Sequence, residues 1–150
     1  MTAASPGVVA LFLDNQHYPS DEAYLFALAE AMKAEYDEIH RAGFVLQLDC
    51  PDLAAGRHRD GESLEDFRGR VALHLEALDH ATRDVPESDL RLHLCWGNYE
   101  GPHTRDVPLA DILDLVLAAP LPACRSRRPT HGTPTNGRSS PTSACRRARC

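Results

Sequence analysis

The sequence predicts an α/β fold in which repeated βα units feed a parallel sheet, on three observations. Short apolar runs alternate with longer stretches of helical periodicity, the joins between them are short, and Ser, Gly and Pro punctuate those joins. In two of the runs the polar residues share one side, opposite a row of leucines.

The first run, Val8 to Leu13, is bounded by Ser5-Pro6-Gly7 and Asp14-Asn15 and reads as a strand buried on both faces. Ser20 then stands as an N-cap before Asp21 and Glu22, whose charges suit the positive end of a helix dipole. Leu25, Leu28, Ala29, Met32, Tyr36 and Ile39 follow at helical spacing, and Gly43 closes the helix. Phe44 to Asp49 forms a second strand, with Phe44, Leu46 and Leu48 on one face and Val45, Gln47 and Asp49 on the other. Cys50-Pro51-Asp52 breaks it.

Ser63 caps the next helix, with Asp66 three residues on and Leu64, Phe67, Val71, Leu75 and Leu78 as its apolar stripe. Leu90 to Cys95 is the third strand, with Leu90, Leu92 and Leu94 opposite Arg91, His93 and Cys95. Asp106 and Pro108 open a last helix, striped by Leu109, Ile112, Leu113, Val116 and Leu117.

Composition bounds the class of protein. A chain of 150 residues with 43% hydrophobic content can bury one ordinary core. The apolar stretch from Val107 to Ala119 is interrupted by Asp111 and Asp114 and falls short of the roughly 20 residues a membrane span needs. No basic flank precedes the first apolar run, so a cytoplasmic, reducing location is expected. Five irregularly spaced cysteines argue against a closed disulfide framework and for thiols or metal ligands.

The polar residues at the strand ends carry the chemistry. In a (β/α)8 barrel the leucine faces pack on the outer helices, and Asp49, His93 and Cys95 point into the mouth where such enzymes keep their active sites. A doubly wound open sheet also places strand ends at a site, although no Gly-rich phosphate loop follows any strand here. His93 and Cys95, one residue apart on a strand, can both reach one Zn2+, or can be a half-buried His and a small apolar Cys of a core. Asp49 either serves the site or caps the following turn. His17, His40, His58, His74, His80, His103 and His131 read as solvated or helix-surface residues, with His103 the one closest to the third strand.

The segments FVLQLDCPDLAAGRH, LHLCWGNYEGPH and VPLADILDLVL resemble the catalytic barrel of the cobalamin-independent methionine synthase family, in its single-barrel branch. The resemblance covers most of residues 1–119. It implies a partial (β/α)8 TIM barrel of about three βα units, against the eight of a whole barrel. It further implies that His93 and Cys95 match the H-x-C zinc ligands and that Asp49 matches the aspartate holding the amino group of homocysteine. The implied activity is zinc-dependent methyl transfer from a methyl-folate or methylcobalamin-type carrier to the homocysteine thiol, giving methionine. A sister zinc thiol alkyltransferase with another acceptor, and a non-catalytic zinc-binding remnant, are the competing readings. The stretch after H-x-C, Trp96-Gly97-Asn98-Tyr99-Glu100, departs from the family's tyrosine-rich one. Set against the family, the chain begins mid-barrel and reads as a truncated, inactive fragment.

The segment 120–150 is of another kind. All 22 acidic residues precede Pro120, whereas seven arginines and no Asp, Glu or Lys follow it. From Leu121 onward there is no Val, Ile, Met, Phe, Tyr or Trp, so a disordered Arg/Ser/Pro tail is expected. Nucleic-acid binding is one use for such a tail, but a shifted reading frame explains it better. Read two nucleotides later, codons compatible with these residues can spell a string containing FEAANPRH, which resembles the next strand and loop of the family; the resemblance implies a later Glu and a final Cys as further zinc ligands, and the glutamate of that string is the candidate for the third ligand lost from this chain. Resequencing the gene on independent DNA should show a frame displaced near Pro120 with barrel-coding sequence beyond it; an intact frame with no such stretch rules the displacement out.

Overall fold

A computed structural model describes residues 1–55, 62–98, 106–119 and 125–126. In chain order the elements are β1 (Thr2–Ala4), α1 (Pro6–Phe12), α2 (Asp21–Arg41), β2 (Leu46–Asp49), α3 (Leu64–Thr82), β3 (Leu90–Leu94), α4 (Leu113–Ala118) and β4 (Arg125–Ser126). Single 3-10 turns lie at Pro51–Leu53, Glu87–Asp89 and Leu109–Asp111. The fold is mixed α/β around a small parallel sheet whose spatial order, β1-β2-β3-β4, repeats the order of the chain. That order has no reversal point, unlike a doubly wound sheet.

The leucine faces make the core. Leu46, Leu48, Leu90, Leu92 and Leu94 are buried against Leu25, Ala29, Tyr36 and Ile39 of α2 and Phe67, Val71, Leu75 and Leu78 of α3. Ile112 and Val116 close it from the side of α4. The opposite sheet face is more open: Gln47, Asp49 and His93 are half-buried and Arg91 is exposed. Helices therefore cover one face of the sheet. A parallel sheet ordinarily has both faces covered.

The helix signals act as their chemistry requires. The Ser20 hydroxyl accepts from the Ala23 amide at 3.1 Å, and Gly43 ends α2 at φ +80°, a conformation that glycine adopts without strain. Ser63 and Asp66 form a reciprocal capping box at the start of α3. Where α2 meets the chain after α3, Lys33 is buried and its ammonium lies between Asp37 and Asp84. Arg68 of α3 holds α4 through both carboxylate oxygens of Asp114, and this contact draws the Asp114 carboxyl down to about 2.

The expected strand from Val8 to Leu13 is corrected: residues 6–12 are helical, and the strand lies earlier, at Thr2–Ala4. A six-residue apolar run fits a buried strand and a buried helix turn equally well. What decides is Ser5, whose hydroxyl accepts from the Val8 amide, followed by Pro6 at the first helical position. Ser5-Pro6 is a helix start, not a turn before a strand. The last expected helix begins later than Asp106, with a 3-10 turn first and α-helix only from Leu113. Of the segment 120–150, Arg125–Ser126 pairs its backbone with His93–Leu94; the rest lies outside the described residues, as do His58, His103 and His131. Among the described residues no helix is long and apolar enough to cross a membrane.

One glycine is essential for packing. A Cβ at Gly7 of α1 would overlap Asp52 Oδ2 and His74 Nδ1, whereas a Cβ at Gly69 of α3 meets nothing within 4 Å. Gly→Ala in a helix ordinarily stabilises by about 1 kcal/mol, and forcing atoms into a packed core costs about 1–3 kcal/mol. Urea unfolding of the full chain should therefore show Gly69→Ala raising the midpoint and Gly7→Ala lowering it; the same sign in both variants contradicts the close approach at Gly7.

Candidate metal centre

The pairing of β2 with β3 builds the site. In this parallel ladder Asp49 is the direct partner of His93, and on the other side Asp49 partners Ala4 of β1. Cys95, two residues beyond His93, returns to the same sheet face. Backbone hydrogen bonds hold the ladder up to the site itself. The Cys50 amide donates to the His93 carbonyl at 2.9 Å, and the Ser5 amide donates to the Asp49 carbonyl at 3.1 Å.

An imidazole nitrogen of His93, the Cys95 Sγ and a carboxylate oxygen of Asp49 lie within 4.8 Å of one another, so the three sequence-predicted site residues are brought together. The His93 Nε2 to Asp49 Oδ1 distance is 3.7 Å. The His93 side chain is 18% exposed and the Asp49 side chain 44%, so the cluster faces the open side of the sheet with Asp49 outermost. Neither Cys95 nor Cys50 is in a disulfide. The donor set of nitrogen, sulfur and carboxylate oxygen fits a borderline divalent ion better than a hard one such as Mg2+ or Ca2+.

Cys50 differs from Cys95 although it follows Asp49 directly. It is fully buried in the core, and that burial, helped by the negative charge of Asp52, pushes its thiol well above the usual range. A thiol held protonated is neither a nucleophile nor a ready metal ligand. Cys50 is therefore a core residue, while Cys95 is half-buried and belongs to the candidate cluster.

Behind the site lies a buried polar chain that the sequence did not reveal. The Ser5 hydroxyl donates to Asp52 Oδ1 at 2.6 Å, and Asp52 Oδ2 pairs with His74 Nδ1 at 2.8 Å. Asp52 is 1% exposed and His74 8%. His74 is thus corrected from a surface residue to a core one. Its position was readable, because it falls on the α3 stripe seven residues after Phe67. The carboxylate sits between the serine and the imidazole, which is the wrong order for a nucleophilic triad, where the histidine must touch the serine. The chain instead ties the start of α1, the turn after β2 and the middle of α3 together. His17, His40 and His80 are at least partly exposed, as expected, and His80 pairs with Glu30.

Trp96 and Gly97 shape the exit from β3. The Trp96 indole donates to the Val107 carbonyl at 2.9 Å, and Gly97 takes φ +74°.

Comparison of the chain with protein-family models, with curated proteins and with solved structures finds no match.

The contrast between the two thiols is measurable. Brief alkylation of the folded full chain, mapped by peptide mass, should label Cys95 and spare Cys50, and added Zn2+ should slow labelling of Cys95. Labelling of Cys50 as fast as Cys95, or no effect of zinc, would contradict the placement of the two side chains.

Proposed function

We propose that this chain carries the metal and thiol side of a zinc-dependent methyl transfer to homocysteine, of the kind found in the cobalamin-independent methionine synthase family. The observation that supports it is the convergence of Asp49, His93 and Cys95 at the C-terminal ends of neighbouring parallel strands, on the face the helices leave bare. C-terminal strand ends are where a (β/α)8 barrel keeps its chemistry. We read the sheet as consecutive units of such a barrel: sequential order, parallel strands and helices on one face are its local grammar, and the bare face corresponds to the barrel interior.

His93 and Cys95 are the residues that would hold zinc. When bound, zinc lowers the pKa of a thiol so that the thiolate persists near neutral pH. The proton leaves to solvent, the thiolate sulfur forms its bond to the methyl carbon, and the bond from methyl to the donor breaks with its electron pair staying on the donor. Asp49 supplies negative charge on the open side of the cluster, where the ammonium group of an amino thiol can meet it. The donor in this reading is a methyl-folate or a methylcobalamin-type carrier.

The chain alone should not complete the reaction, because among the described residues one sheet face carries no helix and β1 is an edge strand, and strand edges without a partner favour association with other chains. Methyl transfer by the full chain with zinc, homocysteine and either donor is expected to equal that of His93→Ala. Thiol capture should nonetheless be visible. Homocysteine added to the Co2+-loaded chain should raise the sulfur-to-metal charge-transfer absorption, and a thiol of equal length without the amine should do so more weakly. No response to either thiol removes the thiol-activation reading, and turnover above the His93→Ala control would make this chain a complete small enzyme.

A further inference from the structure

The distance between His93 and Asp49 separates two uses of the carboxylate. At 3.7 Å, Nε2 and Oδ1 are too far apart for a hydrogen bond, whose N···O distance is about 2.7–3.2 Å. Two ligands on one tetrahedral zinc, with bonds of about 2.0–2.3 Å, stand roughly 3.3–3.6 Å apart. The observed spacing is thus near that of two donors sharing an ion. Cys95 Sγ completes a triangle whose sides are all within 4.8 Å.

Charge and accessibility agree with that spacing. A carboxylate and a thiolate together offset the two positive charges of the ion, while a neutral imidazole adds none. The side chain of Asp49 is 44% exposed and that of His93 18%, so the cluster is reachable from solvent at the carboxylate. Three protein ligands with one open position is the arrangement of a catalytic zinc, whereas structural zinc is closed by four.

We propose that Asp49 is a third protein ligand, completing with His93 and Cys95 a three-ligand zinc site within this chain whose open position receives the thiol sulfur. The ligand assignment rests on the reading of His93 and Cys95 as zinc ligands but not on methyl transfer, and only the thiol at the open position rests on the proposed function. It also leaves the ammonium contact intact, because a carboxylate that gives one oxygen to the metal keeps the other as an acceptor. The sequence alone would make this a two-ligand half-site with weak binding; three ligands make it a site that this chain holds by itself.

The test is zinc affinity of the full chain, measured by competition with a chromophoric chelator without thiol substrate, with far-UV circular dichroism as the check on folding. The wild type should bind a zinc that Cys95→Ser and His93→Ala do not. Residues that only support a ligand cost about 10- to 100-fold in affinity when removed, so Asp49→Asn should lose more than about 100-fold. Asp49→His places a neutral ligand at the same strand position and should recover binding to within about tenfold of wild type, which a purely electrostatic role for Asp49 does not allow. Co2+-loaded wild type and Asp49→His should both show strong visible ligand-field bands, and Asp49→Asn should not. A loss below about 100-fold in Asp49→Asn, or an equally deep loss in Asp49→His, overturns the assignment while leaving His93 and Cys95 as ligands. A wild type that binds no more zinc than Cys95→Ser overturns the metal reading as well.

Discussion

The in-register pairing of β2 with β3 is the constraint on which the rest depends. It sets Asp49 beside His93 across one ladder step, and the alternation of the strand then returns Cys95 to the same side. A slip of one residue would reverse both faces. It would send leucines to the open side and Asp49 into the core, where an unpaired carboxylate is costly. The same burial that stabilises Leu46, Leu48, Leu90, Leu92 and Leu94 therefore also aims the side chains of the candidate metal cluster. Packing and site share one register.

The parts legible in the sequence are those in which local and global signals agree. α2 and α3 carry polar caps, acidic first turns and long apolar stripes, and the structure follows them in the main, although Lys33 takes a buried position through its two aspartates, Leu28 and Met32 are only half-buried and Leu64 at the start of the α3 stripe is exposed. β2 and β3 were legible because their alternation is strict, although β2 begins only at Leu46, which leaves Phe44 exposed rather than on the leucine face, and β3 ends at Leu94. The start of the chain was not, because Val8 to Phe12 carries no periodicity that separates a strand from a helix turn. A strand of three small residues, Thr2–Ala4, has too little pattern to announce itself. It exists because the ladder of β2 offers it partners.

The site shows a similar division. Asp49, His93 and Cys95 could be nominated from their places at strand ends, because side-chain direction in a strand follows from counting. Their separation could not be counted: the 3.7 Å between His93 Nε2 and Asp49 Oδ1 is set by the pairing of the two strands. Asp52 and His74 are the converse case. Each looked unremarkable in its own segment, and only the fold brings residues 22 positions apart to 2.8 Å.

Gly7, Asp52 and His74 form one steric unit assembled from three distant parts of the chain. The absence of a side chain at position 7 is what leaves room for the carboxylate and the imidazole to meet. Related sequences are therefore expected to change these positions together: a larger residue at 7 should travel with a smaller pair at 52 and 74. Position 52 also lies three residues from Asp49, so drift in this hidden trio would re-aim the carboxylate at the mouth of the site. The variability of the candidate cluster would then be governed partly from a glycine in a helix that contributes no residue to it.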